Sequence, residues 1–506
     1  MRRMIERVLL AMILFAMTGF VVLVLIGLWD RYEKQAAASG FNEADERYLA
    51  PQAVSPRDAD TRSDAMSEHT PHAAVARDRL GPASTHTFEG TNQGMSVAVS
   101  ADGSTAIVGG PGPHNADLGR SPLVGPAGAA WVFTRSHGAW TQHGNKLVGA
   151  TSEYGGGLWS QGASVAVSAD GNSAIVGGPS DSKTMGAAWV FTRTGGAWTQ
   201  QGDKLVGTDA YRKGEAQSPR GQGMAVALSA DGNTALVGGW GTEAAWVFTR
   251  NGSGAWTQEG KLVGDGAVGR AHRGMSVALS ANGNTALVGG WSDNSKTGAA
   301  WVFSRSRGAW AQQGKKLVGT GAVGSANQGW SVALSADGNT AILGGPGDNM
   351  WDPSVPFGLG PAGAAWIFTR NGSGWTQEGE KLVSSGSARQ GTSVALSADG
   401  NIAIVGGLVE DGAGGGGLVF TRDGGQWRLD KKLVGTRAVG KSAPSVALSA
   451  DGSVIMVGGS NDNGGIGAAW VFSRSGSGWS QDKKLIGNDA IGKSIPSVAV
   501  SADDSR

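Results

Sequence analysis

Apolar residues follow three different patterns along the chain. Val8–Trp29 is a run of 22 residues without a charged side chain. Residues 30–85 are rich in Ala, Asp, Arg, Ser and Pro and show no sustained apolar period. From Gly94 onward, short runs of Val, Ile, Trp, Phe and Thr alternate with turns that contain Gly and Asp. Such runs between turn signals predict β-strands.

The strand-rich region is an internal repeat. The phrase (Ser/Ala)-Val-Ala-(Leu/Val)-Ser-Ala-(Asp/Asn)-Gly recurs at intervals of 51 to 68 residues, and a partial copy ends the chain. Its acidic or amide position falls at Asp102, Asp170, Asp231, Asn282, Asp337, Asp399, Asp451 and, in the partial copy, Asp503. Periods of this length are typical of propellers and solenoids.

Each repeat predicts four short strands. In the fifth repeat they are Ser331–Ser335, Thr340–Gly344, Ala364–Thr369 and Trp375–Val383. Asp337-Gly338 predicts a tight hairpin between the first two, because mirror-image turns need positive φ. No helical period interrupts the array, and four antiparallel strands form the blade of a β-propeller. The sequence therefore predicts an all-β, seven-bladed propeller of four-stranded antiparallel blades over residues 86–506.

Thirteen tryptophans occupy two fixed places in these repeats, and they predict packing between blades. Those of the third strand are Trp131, Trp189, Trp246, Trp301, Trp366 and Trp470. Those that open the fourth strand are Trp140, Trp198, Trp256, Trp310, Trp375, Trp427 and Trp479. The sixth repeat departs from this pattern, since Leu418 replaces its third-strand tryptophan.

Val8–Trp29 predicts one transmembrane helix, since 22 residues span roughly 33 Å and a hydrocarbon core is about 30 Å thick. Three arginines precede it and two basic residues follow it, which favours a cytoplasmic segment 1–7 and an extracytoplasmic propeller, periplasmic or at the cell surface. Residues 30–85 then form a flexible, disordered linker. A cleaved signal, with Ala36–Ala38 as the cleavage site, and a buried soluble helix are the alternatives.

Composition limits the partners and the chemistry. A net charge of +1 argues against nucleic acid, which needs a clustered basic surface. The absence of cysteine excludes disulfides, thiolate metal sites and a cysteine nucleophile. We expect no cofactor and no metal site.

The repeats resemble FG-GAP repeats, the blades of the integrin α-subunit propeller. Gly94–Val97 and Gly329–Val332 stand where that family has Phe-Gly, and Gly109-Gly110-Pro111 is similar to its Gly-Ala-Pro. The resemblance covers about residues 94–503 and implies a seven-bladed propeller with a role in extracellular recognition or adhesion. Many family members bind calcium through an Asp-x-Asp-x-Asp-Gly loop. Here that loop is only Ser-Ala-Asp-Gly, too few oxygens for calcium.

The variable segments predict a binding face. In an up-and-down blade, the second-to-third loops and the blade connections lie on one face, and only these segments vary in length. Exposed aromatic rings beside carboxylates suit a protein or glycan ligand, although the same rings could plug the channel mouth. The candidate ligand-binding residues are Trp159, Trp240, Trp291, Trp330, Trp351, Tyr154, Tyr211, His114, Asp117 and Asp352.

No catalytic constellation is evident in the sequence. The histidines do not recur by blade, and there is no nucleophile elbow or phosphate-binding loop. The sequence therefore predicts no catalytic residues and a membrane-tethered recognition or adhesion scaffold that is not an enzyme. The alternatives are a carbohydrate-active enzyme that uses loop carboxylates such as Asp117 and Asp352, and a structural spacer without a ligand.

Overall fold

The computed structural model describes most of the repeat region, within the compact unit Ser84–Arg506. The described residues are 91–112, 128–150, 160–181, 185–208, 221–349, 363–372, 374–385, 387–409, 415–438, 444–476 and 478–488. The predicted segments 1–7, 8–29 and 30–85 lie outside them, as does the partial eighth copy. Among the described residues no helix is long and apolar enough to cross a membrane.

Within these residues, 28 strands form seven sheets of four strands each. Blades one to four comprise β1 Ser96–Val99, β2 Thr105–Gly110, β3 Ala129–Ser136, β4 Ala139–Gln142; β5 Ser164–Val167, β6 Ser173–Gly178, β7 Ala187–Thr194, β8 Ala197–Gln200; β9 Gln222–Leu228, β10 Thr234–Gly239, β11 Ala244–Arg250, β12 Trp256–Leu262; β13 Ser276–Leu279, β14 Thr285–Gly290, β15 Ala299–Ser306 and β16 Ala309–Gln312. Blades five to seven comprise β17 Ser331–Leu334, β18 Thr340–Gly345, β19 Ala364–Asn371, β20 Gly374–Gln377; β21 Ser387–Leu396, β22 Ile402–Val409, β23 Gly415–Asp423, β24 Gln426–Val434; β25 Ser445–Leu448, β26 Val454–Gly459, β27 Ala468–Ser475 and β28 Gly478–Leu485. Short helical turns lie at Trp240–Thr242, Asp293–Lys296 and Asp462–Gly465.

The sheets confirm the predicted seven-bladed propeller. In each sheet the strands are antiparallel and follow one another in chain order. The first strands of neighbouring blades contact one another all the way round, from β1 through β25 and back to β1. The first strand is therefore the innermost strand of each blade, and it lines the central axis.

The fourth strand differs from its prediction in blade five. The predicted strand Trp375–Val383 is broken: β20 ends at Gln377, and the chain pairs again only where Leu382 bridges Ala365. The stretch from Trp375 to Leu382 contains eight residues, one more than the same stretch of β12 or β28, and Gly379 within it has φ 68°. Where seven residues cover the same distance, as in β12 and β28, the strand is continuous with a bulge.

The first hairpin of each blade is confirmed, but its turn is longer than predicted. In blade five, Ser335 Oγ donates to Asp337 Oδ1 at 2.5 Å and accepts from the Thr340 N–H at 2.9 Å. Asp337 Oδ1 also accepts from the Asn339 N–H at 2.9 Å. Gly338 has φ 69°, whereas Asp337 does not have positive φ, so this is not a two-residue mirror-image turn. The carboxylate closes the turn by accepting its N–H groups.

These turns form a closed ring of main-chain hydrogen bonds. The alanine before each turn aspartate or asparagine donates its N–H to the carbonyl oxygen of the equivalent alanine in the next blade, at 2.8–3.1 Å. The series runs through Ala101, Ala169, Ala230, Ala281, Ala336, Ala398 and Ala450, and Ala450 donates to Ala101. Blade seven therefore meets blade one in the same way as any other pair of neighbours.

The turn aspartates predict a specific response to acid. Partial burial raises the pKa of Asp337, but hydrogen bonds from Ser335 and Asn339 outweigh it, so the pKa lies below 3.8; five other turn aspartates behave alike. A lowered folded pKa stabilises the fold above the unfolded pKa of about 3.9, and this stability is lost as pH falls through the folded pKa. We expect Asp→Asn at all six turns to weaken the pH dependence of denaturant unfolding below about pH 5.

Asn282 supplies the built-in control for that experiment. In blade four its side-chain oxygen accepts from Ser280 Oγ at 2.8 Å and from the Asn284 N–H at 2.9 Å, so an amide can close the turn. The six-fold variant should therefore remain folded at pH 7. An unchanged acid limb in that variant would show that the turns do not set the acid sensitivity.

The third-strand tryptophans confirm the predicted packing between blades. All six are at most 3% exposed. Each indole lies against a glycine of the preceding blade: a Cβ added to Gly319 would be 2.1 Å from Trp366 Cδ1. Each indole N–H also donates to the carbonyl of the residue after that glycine, as Trp366 does to Thr320 O at 2.8 Å. Six of the seven junctions are thus held by apolar burial and one partly buried indole hydrogen bond.

The fourth-strand tryptophans are less uniform than predicted. Trp140 is 1% exposed, whereas the other six are half-buried and pack against the margin of the core clusters. An arginine from the end of the third strand covers each of these six rings, as Arg305 covers Trp310 with its guanidinium carbon 5.6 Å from the ring centre. Cation–π contact therefore supplements burial at these positions.

Candidate functional site

The second-to-third loops and the blade connections meet on one face, which we call the loop face. Val268 lies in the connection before blade four, and its N–H donates to Asp293 Oδ1 at 2.7 Å, while Val268 O accepts from the Asn294 N–H at 2.9 Å. Asp293 and Asn294 belong to the second-to-third loop of blade four. The structure therefore brings together the two sets of segments that the sequence places on one face.

Three aromatic rings are in contact on the loop face, and we call them the mouth cluster: His272, Trp291 and Trp330. His272 stacks on Trp291 with ring centres 5.2 Å apart and an interplanar angle of 19°. Trp291 meets Trp330 edge to face at 5.6 Å and 62°. Trp330 directly precedes the innermost strand β17, so the cluster lies beside the axis, and all three side chains are half-buried.

Glu243 connects the mouth cluster to blade three. Its carboxylate accepts from the backbone N–H of His272 at 2.8 Å and of Arg273 at 3.1 Å. Arg273 Nε lies 3.3 Å from Glu243 Oε2, and the Arg273 guanidinium also donates to Gly264 O. Arg270 Nε lies 3.8 Å from Glu243 Oε1, with 58% of the Arg270 side chain exposed. Glu243 thus fixes the backbone that presents the imidazole.

This junction differs from its equivalents in the propeller. Elsewhere a glycine at positive φ pairs with a glutamine of the next blade: Gly186 with Gln222, Gly298 with Gln328, Gly363 with Gln390 and Gly467 with Gln93. Between blades three and four, Glu243, at φ 54°, stands in the place of the glycine, and Arg273 stands in the place of the glutamine. A side chain in the left-handed region costs free energy, so glycine would be the easier residue there.

The protonation state of His272 follows from its surroundings. Burial lowers the pKa of the imidazole, the Glu243 charge raises it, and the Arg270 charge lowers it, with a net decrease from 6.5. The imidazole is therefore neutral at neutral pH. It offers a stacking surface without a charge of its own, and a neutral imidazole is also a base.

Of the predicted ligand-binding residues, the structure describes the side chains of Trp291 and Trp330 and brings them into contact. Trp240 begins a short helical turn in the second-to-third loop of blade three. The remaining predicted residues lie outside the described residues: Trp159, Trp351, Tyr154, Tyr211, His114, Asp117 and Asp352. His272, Glu243, Arg270 and Arg273 were not predicted. The described residues hold no group of three or more His, Cys, Asp or Glu placed to bind a metal ion.

Comparisons with known proteins identify no family for this chain. No family model matches the sequence. A search of the curated proteins finds no significant match. The FG-GAP resemblance is therefore borne out only as far as the propeller.

Solved structures with a similar fold are numerous. One is a putative 6-phosphogluconolactonase from Bacteroides uniformis, 11% identical, covering 74% of this chain and 96% of its own, with a TM-score of 0.47. A protein from Lactobacillus plantarum is 15% identical, with 76% and 97% covered and a TM-score of 0.48. The periplasmic gluconolactonase of Pseudomonas aeruginosa is 18% identical, with 71% and 91% covered and a TM-score of 0.42.

These neighbours overturn one prediction. The sequence predicted that the chain is not an enzyme, and this exclusion is wrong, because two of the similar folds bear the names of lactonases. The reasoning failed for a physical reason: a propeller assembles a site from loops of separate blades, so no contiguous motif has to appear in the sequence. At this level of identity and TM-score the similarity assigns no reaction to this chain.

Proposed function

We propose that the chain binds a saccharide on its loop face, with the mouth cluster as the contact surface. The observation that carries the proposal is the continuous contact from Glu243 through His272 and Trp291 to Trp330. It crosses three blades and uses residues that depart from the repeat. Half-buried flat rings stack on sugar faces and lose little conformational entropy on binding.

The repeat supplies variants that test this proposal with little effect on the scaffold. Trp291 aligns with Ser460 in the similar loop of blade seven, and Trp330 aligns with Met95 and Met275. We expect Trp291→Ser and Trp330→Met each to weaken oligosaccharide binding more than about tenfold, as loss of an aromatic hot spot does. Isothermal titration of the full-length chain with neutral and acidic oligosaccharides measures this.

Thermal unfolding of the same variants provides the control. If the rings contact a ligand, the melting temperature should change by less than about 2 °C, since other blades accept Ser and Met at these positions. If the rings only plug the channel mouth, the variants would melt clearly earlier and bind saccharide as the parent does. That second result would overturn the proposal.

A carbohydrate-active enzyme is the second candidate, and the state of His272 favours it. A neutral imidazole beside a carboxylate on the binding face has the properties of a general base. Gluconolactone and oligosaccharides are suitable probes for turnover. His272→Asn introduces the residue of the equivalent positions Asn92 and Asn327 and should lower turnover about 10²–10⁴-fold, more than it weakens saccharide binding, because Trp291 and Trp330 remain. Turnover that persists in this variant would exclude His272 as the base.

We further propose that Val8–Trp29 anchors the chain in a membrane with the propeller outside the cytoplasm, as a recognition or adhesion module of the FG-GAP type. The apolar length of this segment and the basic residues before it support the proposal. Protease treatment of intact cells should degrade the propeller. Recovery of the full-length chain in the soluble fraction would contradict the anchor.

A further inference from the structure

The loop segments around the mouth cluster carry two exposed cations. Arg270 lies in the connection before blade four, and three hydrogen bonds attach that connection to the loop that bears Trp291: Val268 N–H to Asp293 Oδ1, Asn294 N–H to Val268 O, and Ser292 N–H to Ala271 O. Lys296 is exposed, and its carbonyl accepts from the Asn327 N–H at 2.9 Å. Asn327 O in turn accepts from the Trp330 N–H at 3.1 Å. The backbone of each cation is therefore held next to one end of the cluster.

The negative charge near these cations is largely committed to structural contacts. Glu243 is shared by two arginines and by two backbone N–H groups. Asp293 is fully buried and pairs with Lys316 at 2.5 Å. Arg273 is also committed, since it lies over Trp301 and donates to Gly264 O. Asp265, in the same connection as Arg270, is the one exposed acidic residue of these two segments, so their exposed cations exceed their exposed carboxylates by two to one.

The equivalent loop of blade seven shows that the scaffold does not require the charge of Lys296. Its loop Ser460–Gly467 aligns residue for residue with Trp291–Gly298, and Gly465 stands in the place of Lys296. Both residues have positive φ, 70° at Lys296 and 93° at Gly465, so glycine is the less strained residue there. The fold alone therefore does not account for the lysine, which lies in the loop whose aromatic pair blade seven lacks.

We propose that the saccharide is acidic and that carboxylates of different sugar units bind Arg270 and Lys296 while a sugar face stacks on the mouth cluster. This inference rests on the proposed saccharide-binding function and defines its ligand class. Arginine and lysine donate charge-assisted hydrogen bonds to a carboxylate, and these are stronger than bonds between neutral groups. A neutral sugar would offer neither cation a carboxylate, and Arg270 would keep only its 3.8 Å contact with Glu243.

The test compares an oligosaccharide of glucuronic acid with its carboxyl-reduced counterpart, an oligosaccharide of glucose, on the full-length chain. These probes share the ring faces and differ in the carboxylate. We expect the acidic probe to bind at least about tenfold more tightly, and Arg270→Gln with Lys296→Gln to remove that difference. Trp291→Ser should weaken the binding of both probes by a similar factor. Added salt should weaken only the acidic probe.

Arg307→Gln is the matched control, because Arg307 is an exposed cation of the same blade in the third-to-fourth turn, on the opposite face. It should leave both affinities unchanged. Equal binding of the two probes, with no effect of the Arg270 and Lys296 variants, would overturn the acidic ligand and leave saccharide binding intact. Failure to bind either probe would overturn both proposals.

Discussion

Replacing Trp131 by alanine is expected to lower the free energy of unfolding by about 3–5 kcal/mol, the usual cost of truncating a fully buried large aromatic residue. Trp131 is 0% exposed and lies against Gly487, where a Cβ would be 2.1 Å from Trp131 Cδ1. Its indole N–H donates to Asn488 O at 3.1 Å. Truncation would leave a cavity and an unpaired carbonyl at the junction that closes the ring. Denaturant unfolding followed by circular dichroism measures the loss.

Trp189→Ala is the matched comparison. Trp189 is also 0% exposed, and it donates to Ala150 O at 2.8 Å within a junction of consecutive blades. If blade seven closes on blade one like any other pair, the two variants should lose similar amounts of stability. A loss below about 1 kcal/mol for Trp131→Ala, beside a large loss for Trp189→Ala, would show that the ring is not closed through this junction.

The architecture was readable from the sequence because the repeat carries it many times over. Every copy presents the same strand and turn signals, so errors in single strands do not change the blade count. The pattern did not reveal whether each fourth strand is continuous. That continuity depends on whether seven or eight residues run from its tryptophan to its leucine. That distinction becomes visible once the pairing of Leu382 with Ala365 is compared with the continuous strand β12.

The candidate site was only half readable, for the opposite reason. Trp291 and Trp330 stand out because tryptophan is rare in loops. His272 was set aside because histidine does not recur by blade. In a repeat protein, however, the shared scaffold explains the residues that recur, so a residue that does not recur needs another explanation. Comparing equivalent positions would have revealed Glu243 and Arg273, which replace a glycine and a glutamine that pair in four other junctions.

The same comparison explains why blade six has no third-strand tryptophan. At every other junction a glycine lies against the indole, and a Cβ there would approach the ring to 2.1–2.3 Å. Before blade six the glycine is replaced by Ser384, and the tryptophan by Leu418, which is 0% exposed. The carbonyl that would accept the indole N–H, Ser385 O, instead accepts from Lys432 Nζ at 2.5 Å. This substitution pattern predicts that serine and leucine form a complementary pair.

Leu418→Trp alone is accordingly expected to destabilise the chain by about 1–3 kcal/mol or more, because the added ring overlaps the Ser384 side chain in a close-packed junction. Ser384→Gly alone should cost about 1 kcal/mol through the loss of packing and the added freedom of glycine. Combined, they rebuild the junction of the other six blades. We expect the double variant to be more stable than Leu418→Trp, with a coupling of about 1–3 kcal/mol in a double-mutant cycle.

The sign of that coupling decides between two explanations of blade six. A favourable coupling means that the glycine and the tryptophan depend on each other, so that replacing either one requires replacing the other. Additive losses would mean that Leu418 is accommodated by its own blade, where Gly416 and Gly417 replace the two alanines found beside the tryptophans elsewhere. Gly417→Ala tests the second explanation. A Cβ at position 417 would lie 2.7 Å from Ile404 Cδ1 within the same blade, so its cost should not depend on the residue at position 384.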